Sequence, residues 1–505
     1  MADLFTNLAL GFGVAFTPVN LMLCLIGALV GTLVGVLPGI GTIATVAMLL
    51  PITFGLPPVG ALIMLAGIYY GAQYGGSTTS ILVNIPGEAG SVVTALDGFQ
   101  MAKQGRAGPA LAIAAIGSFF AGCVATVLIA VLVAPLTKLA LAFGPAEYFS
   151  LMVLGLIFAV VLAKGSVLKA IAMIVFGLLL SMVGSDIETG ASRMAFNIPE
   201  LADGLGFATV AMGLFGFAEI IRNLDAGGEE DRQLVQQKVT GLMPTAKDLK
   251  DSAPAILRGT MLGSILGILP GGGAVIASFA AYTLEKKISK NPKRFGRGAI
   301  EGVAAPESAN NAAAQTSFIP LLTLGIPPNA VMALMVGAMT IHGIVPGPQV
   351  MQKQPDLVWG MIASMWIGNL MLLVINLPLV GIWVRLLRVP YRLMFPCIVI
   401  FCSIGIYSVN NAPTDVVLAG AFGLVGYWLI KHDFEPAPLL LGMVLGPLME
   451  ENLRRALLIS RGDWSVFLTR PLSAVLIAIA AFLLLLAVLP ALRRKRDEVF
   501  VESEN

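Results

Sequence analysis

From Leu4 to Gly87 the chain carries no Asp, Glu, Lys, Arg or His, a run of 84 residues. One helical membrane crossing takes roughly 20 apolar residues. The run therefore predicts three or four crossings or hairpins in succession. Further charge-free runs at 107–137, 148–163, 170–185, 204–218, 259–284, 308–341, 357–384, 393–414, 416–430 and 471–492 raise the expected total to ten to thirteen crossings. The runs are continuous, whereas the strands of an outer-membrane barrel alternate apolar and polar residues. The expected fold class is an all-α polytopic membrane protein. Composition agrees: 57 % of residues are hydrophobic and 12 % charged, against about 25 % charged in soluble domains. A net charge of +2 marks no nucleic-acid partner. Four cysteines without a C-x-x-C pair and two distant histidines, His342 and His432, argue against a zinc site. The first twenty residues hold Asp3 but no Lys or Arg, so no cleaved signal peptide is expected.

The chain repeats itself. Gly27, Gly31, Gly35 and Gly39 recur every four residues, and Gly259, Gly263, Gly267 and Gly271 do the same 232 positions later. The ladders run into G-V-L-P-G-I-G (35–41) and G-I-L-P-G-G-G (267–273). Downstream, N-I-P-G-E-A (84–89) answers G-I-P-P-N-A (325–330), and L-D-G-F (96–99) answers I-H-G-I (341–344). Three matches in one order at slowly rising offsets identify a duplicated membrane unit. The expected division is a first membrane repeat at 1–221, a polar cytoplasmic linker at 222–258, a second repeat at 259–492 and a polar tail at 493–505.

Basic residues predict how the two units face. The segment 286–297 holds Lys286, Lys287, Lys290, Lys293, Arg294 and Arg297, while its counterpart 54–58 has no charge. The stretch 385–392 holds three arginines against the single Lys138 of 138–147; conversely, Lys164 and Lys169 face the uncharged Asn410-Asn411 region. Cytoplasmic loops are Lys/Arg-rich, so matched loops of opposite basic content predict inverted repeats, a transporter architecture. The segments 222–258 and 286–297 are both expected on the cytoplasmic side. A cytoplasmic Arg493–Arg496 places Arg454, Arg455 and Arg461 on the outside if 471–492 is one span.

Each unit contains two places where a membrane helix must break. Pro38 and Pro270 donate no backbone N–H and sit among glycines; Ile85-Pro86-Gly87 and Ile326-Pro327-Pro328 repeat the pattern. Broken backbone at membrane depth lines a cavity or is buried in protein. Free N–H groups at half-helix N-termini suit carboxylates, and unwound carbonyls suit a cation. Paired breaks mark a transport site. The expected solute-lining residues are Pro38, Gly39, Gly41, Ser77, Thr78 and Asn84 in the first unit. In the second they are Pro270, Gly271, Gly273, Asn310, Asn311 and Pro327. Glu88 and Glu307 are the ionisable residues nearest the breaks, and with Ser317 and Thr323 they form the expected ion-coupling set. Plainer roles compete: G-x-x-x-G is first a helix-packing device, hydroxyls and amides bond between helices, and either acid can cap a helix. No Gly-Lys-Ser/Thr follows the glycines, so no nucleotide loop is present.

At these residues the chain resembles the large permease subunit of the bacterial tripartite tricarboxylate transporters. The resemblance rests on G-V-L-P-G-I-G (35–41), Y-G-G-S (74–77), N-I-P-G-E (84–88), T-A-L-D-G (94–98), G-I-L-P-G-G-G-A (267–274), A-A-P-E-S-A-N-N (304–311), G-P-Q-V-M (347–351) and E-N-L-R-R-A-L (451–457). It spans essentially the whole chain. Gln73 departs from it, standing where an acid is expected before Tyr-Gly-Gly. The resemblance implies a multi-pass protein of the bacterial inner membrane that takes up a citrate-like or related carboxylate. It implies a sodium or proton gradient as the drive and no cofactor. It also implies two partners, a small membrane subunit and a periplasmic solute-binding protein. An anion channel or a carrier without a binding protein shares the hydropathy. A membrane-embedded enzyme fits poorly, since no H-E-x-x-H and no nucleophile–base set occurs.

Overall fold

The structure is a computed structural model and describes residues 2–37, 41–84, 86–162, 166–186, 189–202, 204–225, 241–269, 273–386 and 391–488. Helices account for nearly all of it. The first unit contains α1 (Ala2–Ala15), α2 (Pro18–Val36), α3 (Thr42–Leu49), α4 (Pro58–Val83), α5 (Val92–Lys103), α6 (Ala107–Ala140), α7 (Pro145–Leu162) and α8 (Val167–Ser181). A ribbon of two two-residue strands follows, Gly184–Ser185 against Ser192–Arg193. Next come α9 (Phe207–Ala211), a π-helical turn (Met212–Phe217) and α10 (Ala218–Asp225). The second unit opens with α11 (Ala246–Ile268), α12 (Gly273–Ile288), α13 (Glu301–Thr316), α14 (Phe318–Leu324) and α15 (Ala330–Ile341). It continues with α16 (Pro348–Lys353), α17 (Pro355–Asn376), α18 (Val380–Leu386), α19 (Tyr391–Asn410), α20 (Pro413–Lys431), α21 (Pro436–Ile459), α22 (Val466–Thr469) and α23 (Pro471–Val488).

Five helical stretches among the described residues are long and apolar enough to cross a membrane by length and composition: Pro18–Val36, Ala107–Ala140, Phe207–Asp225, Pro355–Asn376 and Pro413–Lys431. A total of ten to thirteen crossings draws also on shorter apolar helices such as Val167–Ser181. Of the polar segment 222–258, residues 222–225 close α10 and 246–258 form the first turns of α11. A capping box starts α11, with the Thr245 hydroxyl on the Asp248 N–H and the Asp248 carboxylate on the Thr245 N–H.

The glycine ladders are packing surfaces. A Cβ at Gly27, Gly31 or Gly35 would run into the carbonyl oxygen of Met64, Ile68 or Ala72 on α4. At Gly259, Gly263 and Gly267 it would meet the carbonyls of Ala305, Ala309 and Ala313 on α13. The partner residues correspond one to one at an offset of 241, so the two units reproduce one helix pairing. Without side chains in the way, backbones approach closely enough for dispersion and Cα–H···O contact. Both leading helices stop at the residue before a proline. Leu37 (φ −86°, ψ 105°) and Leu269 (φ −77°, ψ 132°) are extended, as the steric demand of a following proline ring requires.

The two long helices that the ladders hold, α4 and α13, meet each other. Ser77 and Gln73 of α4 stand beside Glu307 and Asn310 of α13, and Tyr69 of α4 beside Phe318 at the start of α14. The numbers descend on one side as they rise on the other, so the equivalent helices run antiparallel. At the start of α13, Asp97 of α5 accepts hydrogen bonds from Gly298 N and Ala299 N, each 2.8 Å, and from the Tyr282 hydroxyl at 3.0 Å. Arg106 bonds Asp248 at 2.5 Å, and Arg258 grips Glu285 through two nitrogens at 2.6 and 2.8 Å. The flanks of the basic segment 286–297 are thereby tied to α5 through Asp97 and to α11 through Arg258.

Candidate functional site

The second break is built from local backbone chemistry. Asn84 ends α4 in the left-handed conformation (φ 59°, ψ 25°), and Gly325 ends α14 in the same one (φ 74°, ψ 16°). Gly and Asn are the residues that take this conformation at low cost. Four residues on, Glu88 (φ −150°, ψ 164°) and Asn329 (φ −151°, ψ 172°) cap the next helical segments. Glu88 accepts from Gly90 N and Asn329 from Met332 N, at 2.8 and 2.9 Å. The glycines of Tyr74-Gly75-Gly76-Ser77 let this turn sit down. A Cβ at Gly75 would strike α2, and one at Gly76 would strike Glu88. One at Gly87 would strike the Gly35 carbonyl.

These turns meet the first breaks around a cavity of about 450 Å³. Gly41, Thr42 and Ile43 line it from the first unit, and Gly273, Ala274 and Val275 from the second. Glu88 and Ala89 face it, and so do their counterparts Asn329 and Ala330. Helices α3, α12 and α15 and the short 3-10 turn after Glu88 all begin at this wall. Helix N-termini carry partial positive charge. The N-cap of α3 is Gly41 (φ 71°, ψ 151°), with no side chain to occupy the first N–H groups. Thr42 is 7 % exposed and lines the cavity, and its buried hydroxyl has no hydrogen-bond partner among the described residues. Arg222 of α10 reaches the same cavity and bonds Glu219 at 2.5 Å. The volume lies within the usual small-molecule range of about 300–1,000 Å³.

Behind this wall lies a fully buried polar layer. Asn310 Nδ2 donates to Glu88 Oε1 at 2.7 Å. The Gln73 amide is oriented by its surroundings: with its nitrogen toward Glu88 it donates to the two carboxylate oxygens at 2.9 and 3.1 Å. Glu307 accepts from the Ser77 and Thr94 hydroxyls, both at 2.5 Å. Asn311 donates to Ser118 at 2.7 Å and to the Glu307 carbonyl at 3.1 Å.

Of the residues expected at the site, Gly41, Gly273 and Glu88 line the cavity, and Asn310 stands directly behind Glu88. Ser77, Asn311 and Glu307 form the adjoining buried network, and Thr78 faces a second, smaller cavity with Ser77. Asn84 forms the turn with its side chain exposed, and Pro327 is buried in the matching turn. Ser317 and Thr323 donate back to their own helices, to Ala314 O at 2.6 Å and Ile319 O at 2.7 Å. Pro38, Gly39, Pro270 and Gly271 lie outside the described residues. Tyr69, Thr42, Asn329 and Arg222 line the cavity without having been singled out in the sequence. Arg222 was grouped with the polar linker, although it follows the charge-free run 204–218 by a single helical turn.

A helical, multi-pass membrane protein whose matching helix starts end on one cavity is consistent with a transporter. Residues 21–441 match the model of the tripartite tricarboxylate transporter TctA family, and the chain belongs to that family. It is similar, at 60 % identity over 504 residues and over the whole of both chains, to an uncharacterized 52.8 kDa protein in the TAR-I ttuC' 3' region of Agrobacterium vitis. It is 64 % identical over 242 residues, 48 % of this chain and all of the other, to an uncharacterized protein in the TAR-II ttuC' 3' region of the same organism. No solved structure matches it. The family is one of transporters, and its assemblies are tripartite.

Proposed function

We propose that the chain is the carrier subunit for uptake of a small carboxylate across the bacterial inner membrane, driven by a sodium or proton gradient. It works with a small membrane subunit and a periplasmic solute-binding protein. The observation that carries this reading is the cavity at the paired breaks. Corresponding residues of the two units line it, helix N-termini converge on it, an unpartnered hydroxyl faces it and one arginine reaches it. Together they offer an anion N–H groups, an O–H group and a guanidinium, and the last can take a carboxylate bidentately. The antiparallel contact of α4 with α13 supports inverted topology of the two units, and so does the opposite basic content of their loops. Alternating access then follows from one unit moving against the other around a central site. Two of the three arginines that trouble the outside count are locally neutralised: Arg454 pairs with Asp186 and Glu450, and Arg455 with Glu451.

The test is uptake of labelled di- and tricarboxylates into cells expressing this chain with its two partners, each omitted in turn. Accumulation against a gradient, lost when any component is missing and reduced at least tenfold by Arg222→Gln, is the expected result. Downhill flux alone identifies a channel, and uptake without the binding protein identifies a simpler carrier.

A further inference from the structure

Six acids are buried among the described residues: Asp97, Glu147, Asp186, Asp248, Glu285 and Glu307. Four of them pair with arginine, Glu147 with Arg470, Asp186 with Arg193 and Arg454, Asp248 with Arg106 and Glu285 with Arg258. Asp97 is met by two backbone N–H groups and a tyrosine. Glu307, at 0 % exposure, is met at its carboxylate by the hydroxyls of Ser77 and Thr94, with that of Ser118 nearby, and by no lysine or arginine among the described residues. No lysine or arginine is buried among the described residues. An uncompensated carboxylate at this depth is costly.

On the far side of Ser77 lies a small cavity of about 10 Å³ between α4, α6 and α17, with Leu111, Ala114 and Ala115 on its apolar side. That is room for one water-sized body. Tyr74, Ser77, Thr78, Ser118 and Asn376, each with a side-chain oxygen, line it. Two of those oxygens, the Tyr74 hydroxyl and Asn376 Oδ1, are buried without a hydrogen-bond partner, and so is Oδ1 of Asn311, whose amide nitrogen bonds Ser118. Ser77 donates to Glu307 and alternatively to Gln73 O at 2.9 Å, which leaves its oxygen lone pairs open toward the cavity.

We propose that this cavity is the seat of the coupling cation, a single sodium ion held by neutral oxygens, with Glu307 supplying the counter-charge across Ser77. The inference rests on the transport reading and separates the ion from the solute, which occupies the larger cavity. A trapped water would satisfy the orphaned oxygens and leave the charge of Glu307 unanswered. A proton on Glu307 would answer the charge and leave Asn376 Oδ1 without a donor. A cation meets both requirements with all-oxygen coordination, the hard-ligand set such ions take. The ion-binding oxygens are then those of Tyr74, Ser118 and Asn376. Ser317 and Thr323, whose hydroxyls are spent on their own helices, take no part.

The experiment is sodium binding by the purified chain in lipid nanodiscs. It is read as labelled-sodium retention and as the melting temperature in sodium, potassium and choline chlorides at one ionic strength. Sodium alone is expected to raise the melting temperature saturably. Tyr74→Phe, Ser118→Ala and Asn376→Leu should each weaken sodium binding at least about tenfold, the scale of loss when a metal site loses a supporting group. Tyr74→Phe and Ser118→Ala change one polar group each and carry the test if Asn376→Leu does not fold. Equal melting temperatures in the three salts overturn the proposal, as does sodium binding that survives the two conservative variants; the cavity then holds a water. Carboxylate uptake on a proton gradient with no sodium binding removes the sodium site and leaves the transport reading intact. Sodium binding without carboxylate uptake removes the transport reading and leaves the site.

Discussion

The turns that follow α4 and α14 agree in backbone at both ends, Asn84 with Gly325 and Glu88 with Asn329, yet they carry different chemistry. Asn329 caps its own helix. Glu88 does the same and also receives Asn310, a residue of the other unit. Duplication reproduces the break because the break depends on a left-handed residue, a proline and an N-cap acceptor, which both sequences retain. It does not reproduce the charge. A cavity lined by two equivalent walls therefore has one acidic side, and the acid is wired to the second unit. Under the proposed function, this one-sided chemistry on matching backbone would let the two walls treat a solute and a coupling ion differently.

The comparison breaks most violently at Gly87, whose counterpart is Pro328. A Cβ at Gly87 would meet the Gly35 carbonyl and Gly76 Cα, backbone that has nowhere to move, whereas the other turn already carries a side chain there. Gly87→Ala is expected to cost about 1–3 kcal/mol or more, the usual range for overpacking, and to remove most folded protein from the membrane. Pro328→Ala should express at wild-type level. Fluorescence-detected size-exclusion of the two variants decides it; equal, monodisperse peaks would show that the turns are not packed as described.

A smaller effect is expected from making the tips chemically alike. Glu88→Asn keeps a side-chain acceptor for the cap and removes the charge. The Asn310 and Gln73 amides lose their common acceptor, at roughly 1–3 kcal/mol for buried polar groups left unmet. Gradient-driven uptake should fall at least tenfold, with a weaker response to sodium or pH, while the protein stays in the membrane. Uptake that keeps both its rate and its ion response would reduce Glu88 to a helix cap. The converse variant, Asn329→Glu, should weaken solute binding by placing a second carboxylate at the cavity wall.

How much of this was legible depended on whether a residue acts locally. The ladders at Gly27–Gly35 and Gly259–Gly267 were readable because close helix packing leaves a four-residue period. The breaks were readable because proline and the residue before it restrict their own backbone. Asn84 was read as a ligand from its polarity, when its ease in the left-handed region was the stronger signal. Ser317 and Thr323 look available in the sequence because nothing there shows a hydroxyl turning to a carbonyl three or four residues back. Arg222 was lost to a charge-run boundary. The start of α11 carries its own local signal, Thr245-x-x-Asp248 ahead of an apolar run. The meeting of Asn310 with Glu88, or of Glu307 with Thr94, is set by how α13 crosses the first unit. No spacing within either unit encodes that.

The finest difference between the two walls is one hydroxyl. Thr42 and Ala274 occupy equivalent positions at the starts of α3 and α12, and both line the cavity. The Thr42 hydroxyl is buried and unpartnered among the described residues. An unmet buried hydroxyl destabilises the empty protein, and a hydrogen bond to the solute recovers that loss. Thr42→Val keeps the shape and removes the group. Two effects of opposite sign should follow. The empty protein should melt at the same temperature or slightly higher, because no existing bond is broken. The half-saturating solute concentration should rise by about two- to tenfold, the equivalent of about 0.5–1.5 kcal/mol for one neutral hydrogen bond, with maximal uptake preserved. Melting curves with and without solute, beside uptake at graded solute concentrations, separate the outcomes. A drop in melting temperature with unchanged half-saturation would mean that Thr42 bonds within the protein and that the solute sits elsewhere in the cavity.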